Sequence, residues 1–455
     1  MAIALRSDRG IRVLAGASGV GFILAICGSN AMTPLLPGYM DTLEFGPAAA
    51  SVLFATYFIA LIIILLISAR GPLIRHSRTV LPLALLAAIV GDLLQIVGAS
   101  VDVLLFPGRF LTGASVGLST GAAAAIMVAA RGERGRAFIA SGSLIGAGSG
   151  LVAAIAIAVF LPWQLVTVYA IHAAATAVCL IVLLVGLRLA PDLLAYGNDS
   201  STDDGFTPQS THAHTGDLDV HNGDLDAHTG DLDVAGTRRR DPGAYLVGAL
   251  AWAIGALAVG AMPAAILATG ASDSLLVAQC VGGACLLVSM VASLAGVGVR
   301  LVTTLPAVGV LLVVGWSTAV VGLVLGRLDV IVLGTVVGGI GQAGGYRVAL
   351  AAVTRGLGAV EQGRVASRFS AFAYSGAGVM VVLDGVAGQA VGTLGGVIVT
   401  GVVYAAVAAV AIGLVVRRAS PRPDPKVRST AGVMAAPPGA GIVARKLAPR
   451  GTGHE

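Results

Sequence analysis

Twelve apolar runs, each close to the length that crosses a bilayer, constrain this chain more than any motif in it. A membrane-spanning helix needs about 20 predominantly apolar residues. The sequence supplies such runs at 13–32, 48–69, 80–98, 104–129, 137–159, 165–187, 244–269, 274–294, 301–325, 330–353, 365–391 and 396–416. Glycine and proline inside them are compatible with helix, since neighbouring helices and water re-satisfy freed backbone groups in membranes. Charged residues are 11% of the 455, against about 25% in soluble domains. The expected fold is an all-α membrane protein of twelve transmembrane helices in two six-helix halves.

The arginines give the orientation. Arg6, Arg9 and Arg12 precede the first run, Arg70, Arg75 and Arg78 follow the second, and Arg131, Arg134 and Arg136 follow the fourth. Arg238, Arg239 and Arg240 precede the seventh run, Arg300 follows the eighth, Arg355, Arg364 and Arg368 flank the connection after the tenth, and Arg417 and Arg418 close the last. The alternate connections hold Asp41, Glu44, Asp102, Asp273 and Asp329, with Arg327 the single basic residue. Basic loops stay cytoplasmic, so both termini and the central loop are expected there. The net charge of +5 then reflects topology, and no nucleic-acid partner is expected. Arginine in excess of lysine, with abundant Gly, Ala and Val, fits a GC-rich bacterial gene and hence a bacterial cell membrane.

The expected organisation is a cytoplasmic N-terminus (1–12), an N-terminal half (13–187), a cytoplasmic linker (188–243), a C-terminal half (244–416) and a cytoplasmic tail (417–455). The linker repeats HTGDLDV, HNGDLDA and HTGDLDV from His214, His221 and His228. One leucine per repeat leaves no coiled-coil seam, so disorder is expected; a histidine beside two aspartates could also hold a divalent metal. Cys27, Cys179, Cys280 and Cys285 lie inside apolar runs and read as free thiols. The N-terminal MAIALRSDRGIRV shows no cleavage site of a removable signal peptide. RGRAFIAS at Arg134–Ser141 and QGRVAS at Gln362–Ser367 open equivalent runs of the two halves, as internal duplication requires.

Few ionisable residues fall well inside the runs. Arg109 lies in a run striped with Gly108, Gly113, Gly117 and Gly121, where another helix can approach closely. A guanidinium in hydrocarbon costs about 3 kcal/mol on insertion scales, so it calls for a partner or a wet cavity. At 1.5 Å per residue, Asp92 is about 10 Å and Arg109 about 8 Å from the outer ends of consecutive antiparallel helices. An Asp92–Arg109 ion pair that holds and releases a proton is therefore expected. Asp384 has no basic neighbour in sequence and is a candidate proton carrier. Arg347, about 9 Å from the cytoplasmic end of its run, either snorkels or serves substrate or gate. His172 reads as a satisfied histidine near the outer interface.

Twelve spans in two halves, a long cytoplasmic centre and internal repeats resemble the major facilitator superfamily. NAMTPLLPGY at Asn30–Tyr39 is similar to the N-x-x-x-P-L-L-P-x-Y ending of its first helix, and LFPGRFLTG at Leu105–Gly113 to its L-x-x-x-R-x-x-Q-G signature. The resemblance implies that Arg109 belongs to proton coupling. It also implies that the first, fourth, seventh and tenth helices line a cavity, making Asn30, Trp252, Gln342, Tyr346 and Arg347 candidate substrate contacts. Two patterns depart. Ala69–Arg78 reads ARGPLIRHSR, without the aspartate that normally gates a cytoplasmic helix contact, so the lock must differ; Ser143–Gly150 lacks the antiporter proline. The implied function is a secondary active transporter working by alternating access, with proton-coupled efflux of a small molecule. An uptake symporter or uniporter and a non-transporting membrane sensor are the alternatives. No G-x-x-x-x-G-K-[ST] loop, paired acids or Ser/His set appears, so no enzyme activity and no cofactor are expected. The expected partners are a small-molecule substrate, protons and the lipid bilayer, for a monomer.

Overall fold

A computed structural model of the chain describes residues 2–43, 47–194, 241–295 and 304–419. The heptapeptide repeats, Arg300 and the tail beyond residue 419 lie outside the described residues. The long helices are α1 (Ala2–Asn30), α2 (Pro47–Ala69), α3 (Ser77–Gly98), α4 (Leu105–Phe160), α5 (Gln164–Leu189), α6 (Pro242–Gly260), α7 (Leu275–Ala295), α8 (Leu305–Val324), α9 (Leu328–Thr354), α10 (Ala359–Val391) and α11 (Thr393–Ala419).

The α4 helix covers 56 residues, which would be about 84 Å if straight, far beyond one bilayer. It turns back at Gly132, whose φ of 54° and ψ of −128° strain any residue with a Cβ. Gly135 consequently lies against the Met127 carbonyl. The two arms are the expected fourth and fifth crossings, so eleven helices make twelve passes. Side chains such as Val178, Ile181, Val382 and Val402 are over 60% exposed, an apolar outer surface that only lipid solvates well.

Glycine lets the interior helices close on one another. Gly146 and Gly150 of α4 press on Ile26 and Cys27 of α1, Gly186 of α5 on Leu14, and Gly315 of α8 on Gly338 of α9. The two halves meet through α2 with α10 and through the second arm of α4 with α7, where Gly148 faces Leu286 and Met290 and Gly283 faces Leu151. Among the described residues, the connections bearing Arg70–Arg78, Arg131–Arg136 and Arg355–Arg364 gather at one end, the basic end. There Arg78 donates to the carbonyls of Leu187, Ala190 and Leu193 at 2.7–2.8 Å, capping α5 as cations do at helix C-termini.

At the opposite, far end the first helix of each half breaks. The chain leaves α1 after Asn30 and resumes as a 3-10 turn at Thr33–Leu35 and a short helix at Leu36–Leu43. It leaves α6 after Gly260 and resumes at Met262–Ala268. The sequence reading carried 244–269 through as one run; Pro263 cannot donate to a helical hydrogen bond and clashes with the preceding turn, which explains the interruption. Ala31-Met32 precedes Thr33-Pro34 just as Ala261-Met262 precedes Pro263, so the breaks are themselves a repeat.

Candidate functional site

Between the halves, in the far half of the bundle, lies a small cleft of about 70 Å3. Ser29, Asn30, Thr33, Tyr57, Phe58 and Arg109 line it from the N-terminal half. Trp252, Gly255, Ala256, Val259, Gly260, Leu286, Tyr374 and Ala377 line it from the other. Both helix breaks reach it, through Asn30 and Thr33 and through Gly260. Paired interruptions of this kind mark binding sites in transporters.

Arg109 is the one charged residue of the lining, and its side chain is 1% exposed. Nη1 donates to the Ser29 carbonyl at 3.2 Å, the guanidinium stands 4.7 Å from the centre of the Tyr57 ring, and Nε has no hydrogen-bond partner. The cleft also has an aromatic wall. Trp252 lies on Tyr374 with ring centres 4.5 Å apart, and Phe58 meets Tyr374 edge-on at 6.4 Å.

The expected Asp92–Arg109 pair is not formed. Asp92 Oδ2 instead lies 2.7 Å from Nδ1 of His172, whose Nε2 lies 2.8 Å from the Leu24 carbonyl. Depth was read correctly, since Gly91 of α3 packs on the Gly108 carbonyl and Thr112 of α4. Rotation decided the outcome. Gly91, Gln95, Gly108 and Thr112 fill the contact between these helices, with Gln95 donating to Thr112 at 3.2 Å. Asp92 and Arg109 are each one residue further round, about 100° at 3.6 residues per turn. Asp92 therefore turns to α5 and α1, and Arg109 to α1 and α2. His172 is a satisfied histidine, as expected, and also the partner of the buried acid.

The His172 contacts determine a proton count. A carbonyl only accepts, so Nε2 must donate to Leu24. Nδ1 and Asp92 Oδ2, at 2.7 Å, then need one proton between them, on the imidazole or on the carboxyl. Without it two lone pairs would face each other.

Of the tenth-span candidates, Gln342, Tyr346 and Arg347 are not among the cleft-lining residues. Gln342 accepts from Ser289 at 2.6 Å while its Nε2 abuts Gly255. Tyr346 bonds Ser370 at 3.2 Å and packs edge-on under Trp252. Both stand behind the wall. Asp384 also lies outside the lining, with a buried Oδ1 that has no hydrogen-bond partner. The sequence reading missed Tyr57 and Tyr374 because it looked only to the first helix of each three-helix unit. The repeated Ala-Met before proline was the signal for the two breaks.

The basic end is closed. Arg136, 8% exposed, reaches from the start of the second α4 arm into the other half. There it donates to the Thr354 carbonyl, to Gln362 Oε1 at 2.5 Å and to the Leu357 carbonyl at 3.1 Å. Glu133 holds it at 2.8 Å. Arg364, three residues after Glu361 as Arg136 follows Glu133, lies over Gly71. Arg364 thus lies over the connection where the resemblance led one to look for an aspartate.

The fold recurs in solved structures. A variant of the E. coli fucose:proton symporter FucP superposes with a TM-score of 0.52 at 16% identity, over 90% of this chain and 98% of that one. The chain has the major facilitator fold. FucP as a major facilitator superfamily transporter in the outward conformation gives 0.54 at 14% identity, over 91% of this chain and 100% of that one. A bacterial homologue of the iron transporter ferroportin in the outward-facing state gives 0.57 at 12%, over 90% and 100%. No protein-family model matches the chain, and no curated protein matches it by sequence.

Proposed function

We propose that the chain is a secondary transporter of a small molecule that works by alternating access, coupled to protons, with export as the net direction. The observation that carries this is the cleft between two duplicated halves, bounded by two broken helices and sealed at the basic end by Arg136. By the charge asymmetry, the basic end is cytoplasmic and the cleft faces out, the state in which two of the similar structures were captured. The buried Asp92–His172 pair supports proton coupling, because it holds one proton and can release it only by separating. Export rests on the resemblance of Leu105–Gly113 to the superfamily signature whose arginine is associated with proton coupling in antiporters.

The test is in proteoliposomes carrying the full chain. An imposed pH gradient should drive solute flux, and Asp92→Asn or Arg109→Ala should uncouple flux from the gradient. Flux indifferent to the gradient and to both substitutions would overturn the coupling. Spin labels at Asp102→Cys and Asp273→Cys across the far end should approach as solute binds, while labels at Arg75→Cys and Arg355→Cys separate. Distances that never change would overturn alternating access itself.

A further inference from the structure

The electrostatics of the cleft carry the proposed function one step further, to the class of its solute. A guanidinium presents five N–H donors in a planar fork and cannot give up its charge. In Arg109 one hydrogen bond is made, from Nη1 to the Ser29 carbonyl, and Nε makes none. Among the described residues no carboxylate lies within ion-pair distance of it, because Asp92, the acid on the adjoining helix, is taken by His172. Tyr57 attracts the cation through its ring face but supplies no counter-charge. A buried cation without an anion is unfavourable, and every other lining residue is uncharged. The cleft therefore has a charge of one sign and one unit waiting to be matched.

The remainder of the lining says what the rest of the solute looks like. Trp252, Tyr374 and Phe58 form one contiguous aromatic surface in the cleft that Arg109 also lines, with ring centres 4.5 Å and 6.4 Å apart. Gly255, Ala256 and Gly260 line the cleft beside it with little side-chain bulk. Such a surface favours a flat apolar body. A cation would meet Arg109 unfavourably, a neutral solute would leave it unmatched, and a dianion would bury a second charge without a partner.

We infer that the cleft takes a small organic monoanion with a flat apolar body, its carboxylate on the Arg109 fork and its body against Trp252 and Tyr374. The inference rests on the transport reading above and specifies its solute.

Three probes of one shape and different charge test it: benzoate, benzamide and benzylammonium. Quenching of tryptophan fluorescence in the purified full chain should saturate with benzoate and be at least tenfold weaker with the other two. Arg109→Lys should keep the preference in reduced form, and Arg109→Gln should abolish it. If Arg109→Gln fails to fold, the comparison of the three probes on the unaltered protein decides. Equal or tighter binding of benzamide or benzylammonium overturns the inference, as does the absence of benzoate binding. Those failures remain distinct from failure of the transport reading, because spin-label distances across the far end respond to whichever solute is bound.

Discussion

His172 joins three helices at one ring, since it lies on α5 and contacts Asp92 of α3 and the Leu24 carbonyl of α1. Its removal leaves the buried Asp92 carboxyl without its partner. His172→Leu should destabilise the protein by about 1–3 kcal/mol, the cost of leaving a buried donor or acceptor unsatisfied. Adding Asp92→Leu should recover part of that loss, because replacing both partners removes the unpaired group. Thermal unfolding of the single and double variants in detergent measures the coupling, and strictly additive losses would contradict it. The same pair shows what a sequence can and cannot convey here. Hydropathy and residue count gave Asp92 and Arg109 the same depth. The face each presents depends on which residues win the helix contact, and that was settled by Gly91, Gln95, Gly108 and Thr112, small or hydrogen-bonding residues without a charge to draw notice.

Helices α4 and α10 come closest at the basic end, where Gly121 and Gly363 face each other. A methyl group on Gly363 would lie 2.7 Å from the Gly121 carbonyl, and one on Gly121 would lie 3.2 Å from the Gly363 carbonyl while overlapping Ile74 and Ser367. Gly121→Leu should therefore wedge the halves apart at this end. The measurement is the labelling rate of a cysteine placed at Ser367, fully buried here, by a membrane-impermeant maleimide, and the rate should rise. Arg136→Ala should act the same way more mildly, by removing every hydrogen bond that residue makes to the Thr354–Gln362 segment. An unchanged rate in both variants would show that another contact holds the end shut. The duplicated Gly-Arg pairs at 135–136 and 363–364 were legible in the sequence as a repeat. Their use as a clamp was not, because Arg136 binds mainly backbone carbonyls, which any sequence can supply.

Across the whole molecule, the twelve crossings and the gathering of arginines at one end followed from hydropathy and charge, the two properties the bilayer itself selects on. The cleft was harder to foresee. Its aromatic wall joins Trp252, foreseen on the seventh span, to Phe58 and Tyr374 on the second and eleventh, where an aromatic side chain is indistinguishable from lipid-facing bulk until the helices are assembled. Asp384 illustrates the converse. An isolated acid drew attention in the sequence, yet it stands apart from the cleft and from the Asp92–His172 pair, so Asp384→Asn should leave the pH dependence of solute flux unchanged in proteoliposomes. A flux that lost its pH dependence in this variant would place a second proton site in the C-terminal half. One earlier detail has a further consequence for how the molecule works. Ser29 sits in the last turn of α1, where carbonyls run out of helical donors, and Arg109 supplies the missing one. An anion on that same fork would compete with the Ser29 carbonyl for its donors, so under the proposed reading occupancy is converted into slack at the tip of α1.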